Sequence, residues 1–495
     1  MAVLTPLPAT RWNEKTAAHL LNRAGFGGTP DDIHRLAGKG LFTSVRELVD
    51  IDSSAANVSP PDWAHPKDLR ALRMAAAAAG NQEDKKEKKR DLRMMEGQDI
   101  LDLRRWWLER MTNGPAPLLE KLTLFWHGHF ATSIDKVKDA YWMWLQNDTI
   151  RRNALGSFPA LVKKMSRDPA MMIYLDLEKS RQEHPNENWA REMMELFTVG
   201  IGNYSEQDIR EAARAFTGYR VDMTTQQFRF APFQQDRSNK TFMRQGGALN
   251  GDEIIDVVVR QPACARFIGK KLWRFFAEDE PPDQIVDAVA TSLRKHDLEI
   301  RPVLQEIFSS SEFYADRVMQ SQIKSPVQFL VQTTKQLQTS LPDPVVSQNA
   351  LRQMGQTLFA PPNVKGWDGG KSWITTSTLL FRYNFANYLV NGDSMFPGNT
   401  PPRPQGKGIG FGRAAPAEPS RRDPIDIANL IPENLRAKPQ ELVTYLSQRF
   451  FDAPLAEREL TAFARFVESH NGDTGDQTMR GLLHLMMSTP QFQLT

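Results

Sequence analysis

Residues 185–200, PNENWAREMMELFTVG, divide into two arcs when wound as an α-helix at about 100° per residue. Trp189, Ala190, Met193, Met194, Leu196 and Phe197 fall on one side, and Glu187, Asn188, Arg191, Glu192 and Glu195 crowd the other. The apolar arc needs neighbouring elements to cover it. The polar arc is either a solvated face with spaced ion pairs or the wall of a site, if another part of the chain lies over it. The same helical period recurs along most of the chain, so the expected fold class is all-α: a multi-helical bundle with a small β-hairpin or extended insertion.

Punctuation divides the sequence further. Thr29-Pro30-Asp31-Asp32 is a helix cap followed by first-turn acids, and residues 34–49 then repeat apolar side chains at helical spacing, within an N-terminal helical unit spanning 1–68. Residues 69–98 are rich in Ala, Lys and Glu and poor in aromatic anchors, which suits a charged helix broken near Gly80-Asn81, or else a mobile segment. The basic run Lys85–Arg90 reads as solvent face. A central helical domain over 99–390 changes pattern near 219–245, where Phe228 and Phe230 alternate with polar neighbours as a strand pair does. Residues 391–424 are Pro- and Gly-rich and read as a linker or surface loop before a C-terminal helical unit at 425–495. Arg274-Phe275-Phe276 followed by Ser309–Phe313 parallels Arg449-Phe450-Phe451 followed by Ser488–Phe492, which suggests duplicated helical hairpins packed together.

Bulk properties exclude several classes. With 62 basic and 59 acidic residues among 495, the net charge of +3 gives no reason to expect nucleic acid or an anionic membrane as partner. The single cysteine, Cys264, rules out intrachain disulfides and CxxC metal or redox motifs, and between Ala263 and Ala265 it reads as a small core residue. No uncharged stretch approaches membrane-spanning length, and the opening residues lack a signal-peptide apolar run. As written the chain reads as cytoplasmic, with a periplasmic or exported location as the alternative.

Three segments carry the polar groups that chemistry needs. In Leu124-Phe125-Trp126-His127-Gly128-His129-Phe130 a shared metal would need an extended or turning backbone at Gly128, because two histidines two apart diverge on a helix. The flanking pattern is helical, which places His127 on one face with Glu120 and sends His129 elsewhere, and buried histidines among aromatics are the plainer expectation. The 359–378 loop sets Trp367 and Trp373 around a Gly-rich turn beside Asn363, Asp368 and Lys371; the indoles suit a sugar or peptide, or simply anchor the loop. The turn is not a phosphate loop, since Lys365 stands where that motif needs glycine. Asp236 and Lys240, after the extended segment, suit a site edge or a stabilised turn. Serine-hydrolase, zinc-protease and dinucleotide signatures are missing.

Six blocks together carry a family resemblance: HLLNRAGFG at 19–27, LFWHGHFATS at 124–133, PNENWAREMMELFTVG at 185–200, EQDIREAARAFTG at 206–218, ARFIGKKLWRFF at 265–276 and APPNVKGWDGGKSWITTSTLLFR at 360–382. In this order they resemble the bacterial family called domain of unknown function 1800. The resemblance implies a mostly helical protein without an established activity, and a sulfatase-like protein as working partner. Its FWHxHF block falls on Phe125, Trp126, His127, His129 and Phe130, and its NENxARExxEL block on Asn186 to Leu196. Where relatives commonly carry His-Asp, this chain has Gln235-Asp236, which puts any role of that histidine in doubt here.

The expected site is a central cleft joining these segments. Glu187, Glu192, His129 and Asp236 are its acid–base candidates; Arg191, Trp367, Trp373, Asn363 and Lys371 would hold substrate; His127, His129 and Glu195 would take a divalent metal, if one binds. The expected activity is hydrolase-like, on a polymer or glycan. The alternative is a non-catalytic binding or assembly protein in which the same charges form an internal ion-pair network.

Overall fold

The computed structural model describes residues 4–51, 53–392, 422–451, 454–470 and 474–495. Helices dominate, and at many of their starts a side chain satisfies a free amide. At the N-terminal unit, Thr29 and Asp32 form the expected reciprocal capping box, with Pro30 opening the helix Pro30–Lys39. The apolar run at 34–49 is two helices rather than one, because Gly40 takes a left-handed φ of 78° and starts a new helix, Leu41–Val49.

The charged segment is helical. Leu69–Ala78 stops at the predicted break, and Asn81 then caps a second helix, Gln82–Asn113, by accepting from the Asp84 amide. This 32-residue helix runs straight through position 98, so no unit boundary falls there. Its N-terminal half is largely solvated, and Lys85–Arg90 are exposed except for half-buried Lys85. Its C-terminal half sinks Leu103, Trp107, Leu108 and Met111 into the interior.

The strand pair is where the alternation of Phe228 and Phe230 placed it. Tyr219–Asp222 pairs antiparallel with Gln227–Phe230, Val221 opposite Phe228. A second small hairpin follows, Lys240–Phe242 with Gln245–Gly247. The fold is therefore mainly α with a small β insertion. Among the described residues no helix is long and apolar enough to cross a membrane.

Two apolar cores fill the molecule. One is centred on Trp126, Trp189, Phe197, Trp273 and Phe276, and the other on Trp107, Phe329, Phe359, Phe385, Phe450 and Phe492. The helix Pro117–His129 serves both, with Leu118 and Trp126 in the first and Leu124 in the second. The C-terminal helices share the second core with residues 327–390, so they complete that core rather than form a separate body. The two Arg-Phe-Phe stretches do each end a helix followed by two more helices, at 262–308 and 439–487. They do not pack on each other: Phe276 and Phe313 belong to one core, Phe450 and Phe492 to the other. Cys264 is buried in the first core, and burial alone raises its thiol pKa above the ordinary value, as a structural cysteine should show. Residues 393–421 of the Pro/Gly-rich stretch lie outside the described residues.

Candidate functional site

The 185–200 stretch is helical as its period requires, with Trp189, Ala190, Met193, Met194 and Phe197 buried. It begins as α-helix over Glu187–Glu192 and loosens to π-helix over Met193–Thr198. On its polar side Arg191 is spoken for: its guanidinium donates to both Glu206 carboxylate oxygens at 2.9 and 3.0 Å and to Glu187 at 3.3 Å. Glu195 accepts from the Tyr204 hydroxyl at 3.0 Å. Glu192 is half-buried without a hydrogen bond or ion pair among the described residues, and burial, then the charge of Glu195, raises its carboxyl.

The far end of this helix is where chemistry gathers. A helix leaves its last four carbonyls without intrahelical partners. Here two are met by side chains from distant segments: His129 Nε2 donates to Phe197 O at 3.0 Å, and Lys271 Nζ donates to Leu196 O at 3.0 Å. Because Nε2 carries the hydrogen, Nδ1 of the neutral imidazole is an acceptor, and the Lys271 amine donates to it at 3.0 Å. Burial, then the charge of Lys271, drives His129 well below its ordinary pKa, so the ring stays neutral. Lys271 is half-buried, and the desolvation of its amine, helped by nearby Arg274, brings it down to about 7.

The Lys271 amine opens on a cavity of about 330 Å³ at the meeting of the two cores. Its walls include the aromatic rings of Phe125, Phe275, Trp367 and Trp373, with Asp279 and Asp368 contributing carboxylates. Lys121, Arg274 and Lys365 add cationic groups, Lys121 donating to the Gln328 amide oxygen. Trp367 is held against the His127-Gly128-His129 segment by a backbone contact. Gly366 has φ 85°, and a Cβ there would lie 2.3 Å from Gly128 O, so only glycine lets the loop approach this closely. Gly370 plays a similar part against Asp279, whose carboxylate would sit 2.4 Å from an added Cβ.

Of the expected site residues, the cavity unites His129, Trp367 and Trp373. The others lie elsewhere. His127 diverges from His129, as the helical reading of this segment expects: its Nε2 accepts from the Phe359 amide at 3.2 Å and its ring meets Trp107 edge-on. Burial lowers its pKa to about 3. With His129 committed to Phe197 O and Lys271, and Glu195 to Tyr204, the three proposed metal ligands do not converge; among the described residues no group of three His, Cys, Asp or Glu has the arrangement to hold a metal. Asp236 belongs to a closed cluster instead of the cleft. It accepts from Arg214 Nε at 2.7 Å and from the Ser238 amide at 2.9 Å, while Lys240 Nζ donates to its backbone carbonyl. Burial would raise its carboxyl, but the Arg214 and Ser238 hydrogen bonds hold it down at about 2, a state suited to fixing the insertion and not to proton transfer. Glu187 and Arg191 are tied to each other, Asn363 turns its side chain back to the Lys365 amide, and Lys371 is exposed outside the cavity wall. Glu192 is not part of the cavity wall, although its charge feels that of Lys365, which is.

Lys271, Arg274, Phe275 and Asp279 are site residues that the sequence alone did not place in the cleft. A signal was present: Phe267 and Phe275 stand one turn to either side of Lys271, so this lysine interrupts an aromatic stripe of its helix.

A helical protein with a cationic and aromatic cavity between two cores is thus the class defined by the fold and site. The family described as "Protein of unknown function (DUF1800)" matches residues 19–494, and the chain belongs to it. No curated protein and no solved structure matches the chain.

Proposed function

We propose that the protein is a hydrolase-like enzyme that takes part of a polymer or glycan into this cavity. One observation carries the reading: two indoles, two carboxylates and the His129–Lys271 pair line the same open cavity. A sugar ring laid on an indole buries its C–H face while its hydroxyls remain free for polar walls. Asp279 and Asp368 are the carboxylates that reach such a ring, and a pair of carboxylates is the usual equipment for glycosidic cleavage. Lys271, poised near neutrality, is able to take or return a proton.

The test is release of reducing ends from a panel of plain and acidic polysaccharides, with binding followed separately by tryptophan fluorescence. Asp279→Asn is expected to lose about a hundredfold or more in turnover with little change in binding, and Trp367→Ala to weaken binding about tenfold. Saturable binding without product would remove the enzyme from this reading. It would leave the non-catalytic assembly protein, with the sulfatase-like partner that the family resemblance suggests. That second reading is favoured by the pairing of Arg191 with Glu187 and Glu206, which makes the conspicuous polar face an ion-pair network fixing helix order.

A further inference from the structure

We infer that the cavity contains an anion subsite formed by Lys271, Arg274 and Lys365, which selects a ligand bearing a carboxylate, sulfate or phosphate substituent. The inference rests on the glycan reading for the rest of the ligand, and makes that glycan an acidic one.

Elsewhere on the chain some buried or half-buried arginines meet carboxylates, Arg214 with Asp236 at 2.7 Å, Arg167 with Asp252 at 2.7 Å and Arg151 with Glu120 at 2.9 Å, while others, Arg104 and Arg382 among them, are held by backbone carbonyls. Among the described residues Lys271, Arg274 and Lys365 form no ion pair, although Asp279 and Asp368 line the same cavity and Glu192 lies within range of Lys365's charge. Lys271 and Arg274 are also neighbours, one turn apart on the helix Pro262–Phe276, where like charges repel. The fold therefore keeps a cost that an anion in the cavity would offset.

The lysine is also geometrically ready. An ammonium has three N–H groups. Two are committed, to His129 Nδ1 and Leu196 O, and these fix the amine in place. Among the described residues the amine makes no further hydrogen bond; it lies 4.7 Å from the centroid of the Phe267 ring, and an anion in the cavity would take the remaining N–H. The carbonyl end of the helix that begins at Glu187 carries partial negative charge, which steadies the ammonium without neutralising it. Phe275 and Trp367 beside these cations give the ring that bears the acidic group a surface to rest on.

The test uses the full chain and four probes: a galacturonic acid trisaccharide, its neutral galactose counterpart, inorganic sulfate and inorganic phosphate, each titrated by calorimetry at low and high salt. Arg274 and Lys365 are exposed, so Arg274→Gln and Lys365→Gln spare the fold, whereas Lys271 is not the variant of choice. Wild type is expected to prefer the acidic trisaccharide about tenfold, with the preference shrinking as salt rises. The double variant is expected to lose most of that preference and to bind the neutral sugar within about twofold of wild type. Equal affinity for the two trisaccharides, or a preference that survives both substitutions, would overturn the subsite and leave the glycan reading standing. Sulfate or phosphate binding that the variants abolish, with neither sugar bound, would support the subsite and overturn the glycan reading. No binding of any probe overturns both.

Discussion

Two charged centres sit within the same few helices and are built on opposite plans. At Glu120 the carboxylate is buried and surrounded by donors: Arg151 Nε and Nη2 at 2.9 Å each, Arg110 Nε at 2.7 Å and Trp107 Nε1 at 2.9 Å. Burial would raise its pKa, but Arg151 and then Arg110 hold it below the ordinary value, so the charge stays. Lys271 is half-buried, its amine's partners are an imidazole nitrogen, a carbonyl and the face of the Phe267 ring, and no carboxylate completes it among the described residues. Pairing the buried charge is what a structural centre needs, because a carboxylate taken from water keeps its charge only where donors replace the solvent. A cation held in a cavity without a counter-charge has been left with capacity for something else. The difference separates a girder from a receptor within one helical fold.

The contrast is easiest to break at Glu120. Glu120→Ala strands Arg151 without its carboxylate in the interior and is expected to cost about 3–5 kcal/mol in urea unfolding; a loss below about 1 kcal/mol would mean that the node is not structural. A pH-dependent effect is expected from Lys271→Met. The native amine titrates near 7, below its ordinary value, so the penalty of burying it charged is full on the acid side and fades as pH rises towards that value. The stability difference between variant and wild type should therefore shift in favour of wild type by up to about 1.4 kcal/mol per pH unit above 7. A difference that stays flat from pH 6 to about 9.5 would show that the lysine is not held as described. The smallest effect belongs to Arg191→Met, whose half-exposed pairs with Glu187 and Glu206 should contribute no more than about 1 kcal/mol. A large loss there, read by thermal melting, would give this surface the weight now assigned to Glu120.

The fold was largely legible because its signals are local. Thr29 with Asp32, the break at Gly80-Asn81 and the alternation of Phe228 and Phe230 each need only a few neighbouring residues to act. The site was legible only in part, because it depends on which distant segments meet. Trp367, Trp373 and His129 announce themselves by composition, and they do share the cavity. Arg191 and Glu187 announce themselves as strongly, but the next helix supplies Glu206 and closes the cluster, a partnership that no periodicity within 185–200 contains. Lys271 failed in the opposite sense. Beside Lys270 it resembles an ordinary wet helix position, and only the phenylalanines flanking it at one-turn spacing show that it points inward.

The meeting of Gly366 with the Gly128 carbonyl has a consequence for how this pocket is inherited and altered. Its aromatic wall hangs from a main-chain joint between two far-apart stretches, so the frame is indifferent to which ring stands at position 367. Exchanging Trp367 for Tyr or Phe should retune what the hollow accepts while leaving its outline in place, whereas a single methyl group at 366 should pry the joint apart and lose the hollow altogether.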